Sequence, residues 1–144
     1  MGKNKLATTE GAEGAAPKAE APKPVAKGKR VESAKLYVQS TYNNTKLLLT
    51  DPKGNALAWV SSGSSGFKGA KKGTPFAAAK IGEVLGGKAA LLGVKEVSVI
   101  VNGVGSGRES SIRSFVSRGI AIASIKDVTP VPHNGPRPPK PRRV

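Results

Sequence analysis

Two glycine-rich stretches that carry cations are the places where residue type and spacing in this chain could do chemistry. The first is Gly63-Ser-Ser-Gly-Phe-Lys-Gly-Ala-Lys-Lys-Gly73, with four glycines and three lysines, running into Thr74-Pro75. The second is Asn102-Gly-Val-Gly-Ser-Gly-Arg-Glu109. Glycines let backbone amides approach a phosphate closely, and a following helix N-terminus adds the positive end of a dipole. That chemistry is anion binding rather than bond breaking. On composition alone the lysine stretch is equally consistent with a solvated loop. The second stretch is not the dinucleotide fingerprint, because position 108 is arginine. Gly82-x-x-x-x-Gly87-Lys88 has P-loop spacing, but no Ser or Thr follows it and it falls inside a helical pattern.

Bond-breaking chemistry lacks its parts. Metal-dependent phosphodiester cleavage needs several carboxylates converging on one or two divalent ions. Asp51, Glu83, Glu96, Glu109 and Asp127 are scattered over turns, helices and strand ends, and Lys35 to Ser40 holds no acid. His133 is the one histidine, there is no cysteine, and no Gly-x-Ser-x-Gly elbow occurs. The expectation is a protein that is not an enzyme, with no cofactor, no metal and no small-molecule substrate.

A third candidate is the end of the chain, Asp127-Val-Thr-Pro-Val-Pro-His-Asn-Gly-Pro-Arg-Pro-Pro-Lys-Pro-Arg-Arg-Val144. Seven of its residues are proline or glycine and four are lysine or arginine. Proline has no N–H to donate and fixes φ, so this segment is neither helix nor central strand. It reads as an extended basic arm that docks on a polyanion at reduced ordering cost, or as a solubilising tail. The whole chain of 144 residues carries 24 Lys and Arg against 9 Asp and Glu, a net charge of +15. That excess is the electrostatic footprint of a nucleic-acid binder. Aromatics are 4% of the residues, so phosphate and sugar contacts should outweigh base stacking. The absence of cysteine excludes a disulfide framework. No run approaches ~18 apolar residues and no leader pattern opens the chain, so a cytoplasmic location and no membrane contact are expected.

The elements that must position these stretches follow from periodicity. Residues 1–34, rich in Ala, Lys, Pro, Glu and Gly, lack any apolar period and are expected to be disordered. Residues 35–126 make one globular α/β domain. Lys35–Ser40, Thr45–Thr50 and Asn55–Ser61 read as three strands joined by Tyr42-Asn43-Asn44 and Asp51-Pro-Lys-Gly54, an antiparallel meander. Thr74 caps a helix from Pro75 to about Leu92 with Ile81, Val84, Leu85, Ala89 and Leu92 on its inner face. Its Gly82, Gly86 and Gly87 weaken it by roughly 1 kcal/mol each. Glu96–Val101 is a strand with a continuous apolar centre, expected to be buried on both faces. A second helix ends near Arg118 with Gly119 closing it, and Ile120–Ile125 is the last strand. The order βββ-α-β-α-β implies a mixed five-stranded sheet covered by helices. A DNA-binding architectural protein is the alternative that charge alone allows. Lysines gathered in loops and a tail, with no helix bearing a dense basic face, fit folded RNA better.

Several blocks resemble a known family. Asp127-Val-Thr-Pro130, Pro132-His-Asn-Gly135, Arg137-Pro-Pro-Lys140 and Arg142-Arg-Val144 are similar, in wording and order, to the carboxyl end of the bacterial ribosomal protein S-eleven family. Tyr42-Asn-Asn-Thr45, Gly54-Asn-Ala-Leu-Ala-Trp59, Gly66-Phe-Lys-Gly69 and Gly103-Val-Gly-Ser-Gly-Arg-Glu109 are similar to its inner blocks, so the likeness spans about Lys35 to Val144. Lysines stand at 68 and 71 where the family has arginines, and Val104 and Ser106 replace two prolines. The resemblance implies a ribonuclease H-like topology and a structural role in the small ribosomal subunit. It further implies binding of 16S ribosomal RNA on the platform near the mRNA exit side, beside neighbouring platform proteins. The RNA-binding residues it points to are Asn43, Asn44, Phe67, Lys68, Gly69, Lys71, Lys72 and Thr74 in the first half. In the second they are Gly103, Gly105, Gly107, Arg108, Arg113, His133, Asn134, Gly135, Arg137, Lys140, Arg142 and Arg143.

Overall fold

The computed structural model describes residues 30–143. The disorder expected of residues 1–34 lies outside the described residues as far as position 29. The boundary itself moves, because the first strand begins at Ser33, two residues earlier than expected. Ala34 continues the inward alternation of Leu36 and Val38 and is 4% exposed, and the Glu32 carbonyl accepts hydrogen bonds from the amides of Lys95 and Glu96.

β1 (Ser33–Ser40) is the central strand. It pairs antiparallel with β2 (Thr45–Thr50), which pairs antiparallel with β3 (Ala56–Ser61). On its other side β1 pairs parallel with β4 (Glu96–Asn102), and β4 pairs parallel with β5 (Ala121–Asp127). The sheet is therefore mixed, in the order β3-β2-β1-β4-β5. Helix α1 (Pro75–Leu91) links β3 to β4, and α2 (Gly107–Val116) links β4 to β5. A 3-10 turn over Gly69–Gly73 precedes α1.

Both helices lie on one face. Leu36, Val38, Leu47, Leu49, Val97, Val99 and Val101 point into a single core with Ile81, Leu85, Ala89 and Phe115. The reason is topological: β3, β4 and β5 run the same way, and both crossovers step in the same direction across the sheet. Right-handed crossovers then place both helices on the same side. This corrects the expectation that β4 is buried on both faces. Its Val97, Val99 and Val101 are buried, whereas Ser98, Ile100 and Asn102 are half-buried on a face that no helix among the described residues covers.

Helix α1 also departs in detail from its expected face. Val84 is 47% exposed, while Gly82 and Gly86 are buried. A Cβ on Gly82 would stand 2.5 Å from the Ser111 carbonyl oxygen, and one on Gly86 would stand 3.0 Å from that of Phe115. The two glycines let α2 approach closely, and this contact turns the buried face of α1 away from Val84.

Candidate nucleic-acid interface

Strand polarity brings the candidate segments to one end of the sheet. β1, β3, β4 and β5 all finish there, β2 starts there, and both helices begin there. The β1–β2 turn, the lysine loop, the glycine loop and the root of the arm all emerge from this end. The opposite end carries the turn Asp51–Asn55, residues 92–95 and the stretch 117–120.

The lysine loop is built on α1. Thr74 Oγ1 accepts the amide hydrogen of Ala77 at 3.3 Å and donates to the Lys71 carbonyl at 2.7 Å, so one hydroxyl caps the helix and pins the loop. Lys68 and Lys71 are exposed, and Lys72 is half-buried. Gly66, Phe67, Lys68, Lys71, Thr74 and Phe76 line an open cleft of about 660 Å³. Phe67 and Phe76 meet edge to face, with centroids 6.1 Å apart, and Lys80 Nζ sits 5.6 Å from the Phe76 centroid. Phe76, Lys80 and the 79%-exposed Tyr42 were missed in the sequence. The readable signal was Phe76, an apolar residue roughly half a turn out of phase with Ile81 and Leu85.

The glycine loop works differently from the phosphate cradle expected of it. Gly103, at φ +103°, uses its amide to donate to Thr129 Oγ1, and the Gly105 amide donates to the Ser40 carbonyl. Gly105 and Gly107 are buried against the end of β1 and against Thr45, where a side chain would collide. The amides of Gly103 and Gly105 thus serve the fold, and that part of the cradle reading is corrected. Ser106 Oγ donates to the Gly73 carbonyl at 2.8 Å, tying the glycine loop to the lysine loop.

Arg108 is likewise engaged within the chain. Its Nη1 donates to the Gly103 carbonyl at 2.8 Å, and its Nη2 forms a short ion pair with Asp127. Asp127 also accepts from the hydroxyl and the amide of Thr129, at 2.6 and 2.9 Å. Hydrogen bonds from Thr129, then the Arg108 guanidinium, lower the Asp127 carboxyl to about 2. Val128 continues the strand ladder to the Val101 carbonyl. The segment expected to leave the domain as an arm from Asp127 is therefore still tied to it through Val128 and Thr129.

Among the other candidates, Asn43 is exposed in the β1–β2 turn, and Asn44 is half-buried with its side-chain oxygen shielded and unpartnered. Arg113 lies farther along α2, exposed and paired with Glu109 at 2.9 Å. In the arm, Asn134 adopts a left-handed conformation at φ 53°, and His133, Gly135, Arg137, Lys140, Arg142 and Arg143 are exposed. The structure brings together the β1–β2 turn, both loops and the arm's root. Arg113 lies outside that group, paired with Glu109 on α2. Among the described residues no His, Cys, Asp and Glu side chains form a metal-holding group, and no helix is long and apolar enough to cross a membrane.

The family profile described as Ribosomal protein S11 matches residues 34–143. The small ribosomal subunit protein uS11 of Endomicrobium trichonymphae is 56% identical over 111 residues, covering 77% of this chain and 85% of that protein. Its counterpart in Thermosynechococcus vestitus is 50% identical over 129 residues, covering 90% of this chain and 99% of its own length. The chain belongs to the ribosomal protein S11 family.

Proposed function

We propose that this chain is a structural constituent of the small ribosomal subunit that holds 16S ribosomal RNA across the carboxyl end of its sheet. The family is a structural rather than a catalytic class. The observation that carries the RNA reading is the convergence at one end of the exposed lysine loop, the open aromatic cleft and the root of a basic, proline-stiffened arm. Irregular, loop-borne charge suits folded RNA, which is recognised by shape, phosphate and 2′-hydroxyl contacts. Lys68, Lys71 and Lys72 neutralise phosphates, and Arg137, Lys140, Arg142 and Arg143 do so along the arm. Asn43, Asn44, His133 and Asn134 supply polar contacts. Arg108 acts mainly by fixing the loop and the arm's root in register, with Arg113 on the flank.

The resemblance supports the finer placement on the platform near the mRNA exit side, next to other platform proteins, in a ribosome-bound cytoplasmic setting. The sheet order β3-β2-β1-β4-β5 supports a ribonuclease H-like relationship. The test is competition for the full chain: folded 16S ribosomal RNA against duplex DNA at equal nucleotide concentration. The reading requires the ribosomal RNA to win clearly. Equal competition would return the chain to the architectural DNA-binding class.

A further inference from the structure

The sheet face opposite the helices carries a row that the binding end does not use. Register aligns Trp59 with Leu48, Leu48 with Tyr37, Tyr37 with Ile100 and Ile100 with Lys126, one residue per strand across the whole sheet. Trp59 is 63% exposed, and Tyr37, Leu48 and Ile100 are half-buried. One row nearer the binding end, Gln39 faces Lys46, both exposed. Tyr37, Gln39, Lys46, Leu48 and Trp59 line a shallow cleft of about 320 Å³.

We propose that this open face is a second RNA surface, on which an unpaired base stacks over Leu48 between Trp59 and Tyr37. Strands in a sheet stand about 4.8 Å apart, so these two aromatic residues spring from strands roughly 10 Å apart. That gap admits a planar base against a ring face. Gln39 is placed to meet the edge of the base with its amide, and Lys46 to meet the adjoining phosphate. The charge selects the occupant: among the described residues, Lys35, Lys46 and Lys126 are the strand cations on this face, and its one strand carboxylate, Glu96, sits at the far end. An unpaired nucleotide offers a π-face and an anion together. A protein occupant would have to be acidic as well as apolar. Sheets that present aromatic residues in this way bind single-stranded RNA by stacking, with little dependence on sequence. The inference rests on the RNA reading above and adds a site on a different face of the sheet.

Trp59 is the one tryptophan in the chain, so its fluorescence reports this face alone. The full chain is titrated with an adenosine RNA hexamer, with an acidic amphipathic peptide, and with folded 16S ribosomal RNA. The expected result is saturable quenching of Trp59 by the hexamer. Trp59→Ala should weaken hexamer binding about ten-fold, with Trp59→Phe retaining most of it. Lys46→Gln should reduce the salt slope by about one. Because Trp59 is largely exposed, thermal melts should confirm that each variant is folded. Unchanged Trp59 emission in a protein that still binds 16S ribosomal RNA would overturn the second surface and leave the proposed function standing. A spectral shift with the acidic peptide and none with the hexamer would assign the face to a protein and likewise overturn it. Failure to bind any RNA would remove both readings.

Discussion

Asp127 shows how one residue can hold the candidate end of the sheet together. Its carboxylate gathers the Thr129 hydroxyl and amide and the Arg108 guanidinium, and Arg108 in turn holds the Gly103 carbonyl. With its carboxyl lowered to about 2, its stabilising effect is fully present above the ordinary carboxylate value of 3.8 and is lost as pH falls through about 2. Titration of the Asp127 side-chain carbon by NMR should give a midpoint near 2. Arg108→Gln should raise that midpoint only in part, because the Thr129 hydrogen bonds are the larger cause, while Thr129→Val should raise it more. A midpoint near 3.8 in the unaltered chain would mean that the clamp does not form in solution. None of this was legible in the sequence, where Arg108 and Asp127 stand 19 positions apart and each reads as an isolated charge. The Thr74 cap was legible, because capping is local and needs only Thr followed by Pro.

At the scale of elements, strands and helices were readable because alternation and helical spacing are properties of neighbouring residues. The side on which each helix lies was not, since it follows from crossover direction. The α1 glycines make the same point. In the sequence they are three equal weaknesses, yet Gly82 and Gly86 sit under α2 while a Cβ on Gly87 would meet nothing within 4 Å. Gly87→Ala should therefore stabilise the chain by about 0.4–1 kcal/mol. Gly82→Ala should destabilise it by about 1–3 kcal/mol, because the backbone of α2 must shift. Denaturant melts of the two variants check this, and equal effects would contradict close helix packing. The stretch after β5 divides at Thr129, the last residue tied to the glycine loop. Truncation after Thr129 keeps the Asp127 clamp, so the melt should stay normal while RNA affinity falls by several kcal/mol. Truncation after Asp127 removes Thr129 as well, and should in addition loosen the glycine loop. Normal RNA binding after the first truncation would make the arm a solubilising tail. Replacing Lys68, Lys71 and Lys72 with glutamine should flatten the slope of log K against log salt by about 2. An unchanged slope would mean that the lysine loop is only solvated.

For the whole molecule, the central claim is one of polarity: one end of the sheet faces RNA and the other does not. Charge and composition indicated a polyanionic partner, but only the parallel run of β1, β3, β4 and β5 brings segments from four parts of the chain to a common end. The chain supplies its own controls at the far end, where Lys53 is exposed in the Asp51–Asn55 turn and Lys95 is exposed beside Glu32 at 3.2 Å. Lysine acetylation of the full chain, mapped by mass spectrometry with and without folded 16S ribosomal RNA, tests that polarity in one experiment. Lys68, Lys71, Lys72 and Lys140 should lose most of their reactivity on binding, while Lys53 and Lys95 keep theirs. Protection of Lys53 and Lys95, with Lys68, Lys71 and Lys72 left reactive, would contradict it.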